Sequence, residues 1–192
     1  MTPSAFWQLF AAEEKQLFQD SDTSRVLDRI SCLLARYNPG LSAEISDDEV
    51  CRELIVTADG DPRLFRVVED LIEAAPHLMY WRVIALKPPR GFDFSLDFDG
   101  VSIVPSELFF DPLKSGSDPT AIGIRVFAPG ASRLPGIREG MRQAVEIGLG
   151  ERLATAIKRI EVAEPAGDMA KYLPLTELTA YVAWHRSHHK LQ

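Results

Sequence analysis

Cysteine is scarce in this sequence: there are two in 192 residues, Cys32 and Cys51. Their spacing fits neither a disulfide framework nor a CxxC metal knuckle, and Cys32, inside an apolar helical pattern, reads as a small core residue. Long apolar runs are absent too. No stretch approaches the roughly 18 to 20 residues that span a bilayer. The start, "MTPSAFWQLFAAEEKQLF", has no basic segment followed by an unbroken apolar one, so a soluble, unexported, cytoplasmic protein is expected. Positive charge is in deficit, with 21 basic residues against 28 acidic ones and a net charge of -7. No Lys/Arg-rich run reverses that field locally, so neither nucleic acid nor a membrane is an expected partner. The signatures "GXSXG", "GXXXXGK", "GXGXXG" after a strand and "HEXXH" are all missing. No catalytic residue can be named from such a sequence, and no cofactor is expected.

What is present is a chain with 46% hydrophobic residues, long enough for one sizeable core and read as a single domain over 1–192. Phe6, Phe10 and Leu17 share a helical stripe over residues 4–18, with Trp7 and Phe18 beside it. A second helix follows Ser21 or Asp22 as N-cap and stops at "YNPG". "LSAEI" and "CRELIVTA" read as strands joined by the acidic turn "SDDE". A helix is predicted over 62–75, and "WRVIALK" resumes the strand pattern. "FDFSLDFDGVSIV" alternates Phe92, Phe94, Leu96 and Phe98 against Asp93, Ser95, Asp97 and Asp99, and its Asp99-Gly100 pair signals a hairpin. "DPLKSGSDP" reads as a loop, "AIGIRVFA" as a strand, 135–149 as a helix capped by Gly150, "IKRIEV" as a strand and 174–187 as a last helix. This order predicts an α+β fold, with a mostly antiparallel sheet and helices packed on one face.

Three places could carry chemistry. Asp59 and Asp61, with Asp97 or Asp99 if the strands are neighbours, offer hard oxygen ligands to a cation. The local alternative makes "DGDP" a turn at Gly60, an N-cap at Asp61 and a first helical residue at Pro62, and it accounts for every residue. His185 with His188 or His189 has the helical spacing of a transition-metal pair; the alternative is a solvated last turn. Lys87 and Arg90 flank a stiff proline pair and could hold an anion, or belong to a solvated loop.

Together, "FWQLF", "KQLF", "YNPGLSAEI", "RELIVTADGDPRLFRVVEDLIEAAP", "WRVIALKPPRGFDFSL" and the late "GLGE" before a strand resemble a family of bacterial cytosolic proteins of unknown function. The likeness covers most of the chain. It implies a compact cytosolic domain, and it brings no activity or site residue with it.

The expected role is therefore a non-catalytic adaptor or immunity-like protein that meets a protein partner through its acidic surface and the aromatic helix, with Phe6, Trp7 and Phe10 as contacts. The competing expectation is a small ligand-binding domain or enzyme with Asp59, Asp61, Arg90, Asp97 and Asp99 around its site.

Overall fold

Thr2 opens the first helix by accepting the Ala5 N–H at 3.2 Å, and Pro3 occupies its first turn, where a missing donor does no harm. This helix, α1 (Pro3–Gln19), is followed by α2 (Thr23–Tyr37), whose N-cap Asp22 accepts from the Arg25 N–H. The computed structural model describes residues 1–46, 51–114, 118, 120–130 and 136–189. Most of the acidic turn expected between the first two strands, part of the "DPLKSGSDP" loop and most of "PGASRLPG" lie outside the described residues.

The chain forms two compact units, Met1–Pro88 and Pro89–Gln192. In the first, β1 (Ser42–Ser46) pairs antiparallel with β2 (Arg52–Thr57), as the hairpin reading required. β2 also pairs in parallel with β3 (Trp81–Ala85) through the intervening α3 (Phe65–Glu73), so the three strands carry a βαβ crossover as well as a hairpin. Phe6, Trp7 and Phe10 of α1, Ile30 and Leu34 of α2, Leu54 and Val56 of β2, and Val68 and Leu71 of α3 close on one core.

Two side chains complete helix ends that would otherwise leave carbonyls without donors. The Trp7 Nε1–H donates to the Leu71 carbonyl at 2.6 Å, in the last turn of α3. The Arg52 guanidinium, only 9% exposed, donates to the Leu17 and Asp20 carbonyls at 3.0 Å each, at the C-terminal end of α1. Its charge suits that negative helix end, and the rings of Phe18 and Trp81 lie 6.0 and 5.9 Å from it. Cys32 is exposed, not core. It falls two residues from Ile30, on the side of α2 away from the buried stripe.

The second unit opens with a short hairpin, β4 (Leu96–Phe98) and β5 (Val101–Ile103), turned by Asp99 and Gly100. The alternation holds beyond the strands themselves: Phe92 is buried and Phe94, Leu96 and Phe98 pack on the core, while Asp93, Asp97 and Asp99 are exposed. Next come β6 (Phe109–Leu113), β7 (Ile122–Phe127), α4 (Ile137–Ala154), β8 (Ile157–Ala163), β9 (Leu173–Pro174) and α5 (Leu178–His188). Their sheet runs β8-β7-β6-β9, with β7 and β8 parallel across α4 and the other pairs antiparallel. β6 extends into residues read as loop, including Pro112; β9 covers only Phe109 and Phe110, so Pro112 falls where β6 has an unpaired edge.

The architecture is α+β, with three mostly antiparallel sheets among the described residues: two of six strand pairings are parallel. No helix of the described residues is long and apolar enough to cross a membrane.

α4 is broken at Gly150, where φ 72 and ψ 160 leave the helical region that glycine alone leaves cheaply. Carbonyls ahead of a break lose their intrahelical donors, and those of Ile147 and Gly148 accept from the Arg90 and Gly91 N–H groups at 3.0 and 3.2 Å. The helix expected over 135–149 thus ends at Gly150 as read, and a second helical segment follows the kink to Ala154. Glycines 136, 140 and 148 line the face of α4 against which 92–103 lies: any Cβ there would meet Asp99 and Phe98, Ile103 and Phe98, or Phe92, respectively.

Candidate functional site

The "TADGDP" segment leaves β2 by a tight turn in which Asp59 and Gly60 both have positive φ, 48 and 80, and the Asp61 N–H returns to the Ala58 carbonyl. The turn reading is therefore right about Gly60 and wrong about the cap. α3 starts at Phe65 with Leu64 at its N-cap and no side-chain cap bond. Pro62 and Arg63 lie in a preceding turn, and the Asp61 carboxylate takes the Arg63 N–H and guanidinium instead. That guanidinium, first by hydrogen bonding, holds the Asp61 carboxyl below the usual carboxylate range.

Asp59 stands at the carboxyl end of a strand with a parallel neighbour, a setting the hairpin reading alone did not foresee. β1 and the segment just past β3 engage it. The Ser42 hydroxyl donates to its carboxylate at 2.6 Å, and Lys87 Nζ lies 3.7 Å from it and 3.0 Å from Glu44. Ser42, Glu44 and Lys87 carry no motif, and only strand register brings them to Asp59. Lys87 is thus engaged with carboxylates of its own unit.

Arg90, Asp97 and Asp99 belong to the second unit, whereas Asp59 and Asp61 belong to the first. Arg90 is exposed and docks by its backbone on α4. Asp97 is exposed on β4, and Asp99 lies beside Gly136, where its carboxylate suits the positive N-terminal end of α4. Two cavities of the second unit are lined by other residues.

The histidines gather at the end of α5. The His185 and His189 rings lie 4.4 Å apart, one helical turn on from each other. His188 is held by Nδ1, 2.9 Å from the Trp184 carbonyl and 3.0 Å from the Ser187 hydroxyl. His185 and His189 are thus a pair that a transition ion could bridge, but no group of three His, Cys, Asp or Glu ligands forms among the described residues.

Protein-family models, curated proteins and solved structures give no match to this chain.

The His185 ring is buried and, among the described residues, its Nδ1 has no hydrogen-bond partner. Burial first, then the nearby His189, push its pKa below the usual imidazole value. The fold thus favours neutral His185, while the unfolded chain takes up the proton readily. This contribution to stability is complete above the unfolded imidazole pKa of about 6.5 and is lost as pH falls through the lower folded value. Chemical denaturation at pH 7.5 and 5.5 is expected to show a loss on acidification that His185→Gln reduces. An equal loss in both proteins would rule the ring out as its source.

The aromatic contacts expected on α1 are corrected by burial: Phe6, Trp7 and Phe10 lie within the first core, Trp7 edge-on to both Phe6 and Phe10, and Phe10 edge-on to Trp81. They are spent on folding and are not available to a partner. Trp184, by contrast, is 51% exposed, a signal visible in "YVAWHRSHH" only once the buried face of α5 is known.

Proposed function

We propose that this chain is a non-catalytic cytoplasmic interaction protein, adaptor- or immunity-like, that binds a protein partner with Trp184 as anchor. The observation that supports this reading is the presentation of Trp184. Half of a large apolar ring faces solvent, while Tyr181 at 6.0 Å, His188 at 4.8 Å and His189 at 6.4 Å surround it. An exposed tryptophan already held by neighbouring rings loses little side-chain freedom on binding, and tryptophan is among the residues that dominate interface energies. The net charge of -7 adds selectivity by repelling acidic surfaces.

Capture of partners on immobilised full-length chain should lose its main protein with Trp184→Ala, in line with the roughly 2 kcal/mol or more that a tryptophan anchor contributes. The unfolding midpoint should barely move, because the ring is half exposed. The same proteins captured at the same yield by both chains would reject Trp184 as the anchor.

A further inference from the structure

The second unit contains a cavity of about 360 Å³ where β7 ends and α4 begins, with Pro165, just beyond β8, on its rim. It therefore lies past the carboxyl ends of a parallel strand pair, the place where open α/β arrangements hold their ligands. Its walls are mostly apolar, with Ile103 of β5, Phe127 of β7, Ile137 and Met141 of α4, and Met169. Such a volume and lining fit the body of a small organic molecule, and methionines let the walls adapt to its shape. The charged group in the lining is Glu107, which is exposed, and among the described residues its side chain has no ion pair or hydrogen bond.

We propose that this cavity binds a small molecule with an apolar body and a protonated amine, the body among Ile103, Phe127 and Met141 and the amine on the Glu107 carboxylate. A charge-assisted bond to Glu107 selects amines over alcohols of the same shape, and like charge rejects the corresponding acids. The site is separate from the α5 surface and does not depend on it.

Calorimetric titration of the full chain with 4-phenylbutylamine, 4-phenylbutanol and 4-phenylbutanoate tests this. Saturable binding of the amine is expected, at least tenfold tighter than the alcohol, with no binding of the acid. Glu107→Gln should bring amine and alcohol to equal affinity, and Val101→Phe, which fills the cavity, should abolish both. No saturable heat from the amine, equal binding of amine and acid, or an amine preference that survives Glu107→Gln would each overturn the proposal. Glu107 is exposed, so its variant is expected to fold and decides the matter even if Val101→Phe does not fold.

Discussion

Gly148→Ala is expected to destabilise the second unit by about 3 kcal/mol, although alanine is the better helix former by about 1 kcal/mol. A Cβ at Gly148 would stand 2.2 Å from Phe92 Cε1 and 2.5 Å from Cζ, well inside any real contact. The ring cannot step aside cheaply. Phe92 is buried, and its approach to α4 is fixed by the Arg90 and Gly91 N–H bonds to the Ile147 and Gly148 carbonyls. Expelling it forfeits roughly 2 to 3 kcal/mol of apolar burial, and the two backbone bonds add about 1 kcal/mol each. The sign should reverse once the ring is gone: in a Phe92→Ala background, Gly148→Ala should be neutral or stabilising by up to about 1 kcal/mol. Urea denaturation of the four proteins measures the coupling, and additive effects would show that ring and helix do not meet as described. Gly140→Ala should cost less, since the atom crowded at 2.5 Å is Ile103 Cδ1, the far end of a flexible side chain.

That contrast marks how far the sequence could be read. Periodicity located α1, and short-range hydrogen-bond chemistry the start of α2 and both Asp-Gly turns, because Asp22, Gly60 and Gly100 act on backbone within three residues of themselves. The glycines of α4 were visible as letters, but what approaches them comes from 37 to 56 residues earlier in the chain, and no local rule gives that distance. β2 read as one arm of a hairpin and proved also to be the first strand of a crossover, since its apolar run serves both pairings equally. Asp61 looked like a cap because "DP" so often opens a helix. Here Arg63 competes successfully for the carboxylate, and the helix begins at Phe65. The candidate site suffered most, because the partners of Asp59 arrive through strand register and the exposure of Trp184 depends on which face of α5 is buried.

Trp7→Ala should cost about 3 to 5 kcal/mol, the range for removing a large aromatic from a packed core. A domain holds only some 5 to 15 kcal/mol in total, so the first unit would lose much of its stability. Volume is one part of this. Trp7 is 2% exposed, with its ring edge-on to Phe6 at 4.9 Å and to Phe10 at 5.4 Å. The other part is the indole N–H on the Leu71 carbonyl, which Trp7→Phe isolates by keeping most of the ring and removing the donor. Leaving that buried carbonyl unsatisfied should cost about 1 to 3 kcal/mol. The pair of substitutions also separates the two roles open to an aromatic stripe on a first helix. A contact residue would lose its partner and leave the unfolding midpoint where it was; a core residue does the reverse, with Trp7→Ala lowering the midpoint far more than Trp184→Ala. The difference follows from geometry: the Trp7 ring fills space between α1 and α3 and completes a helix end, while the Trp184 ring has half its surface in solvent.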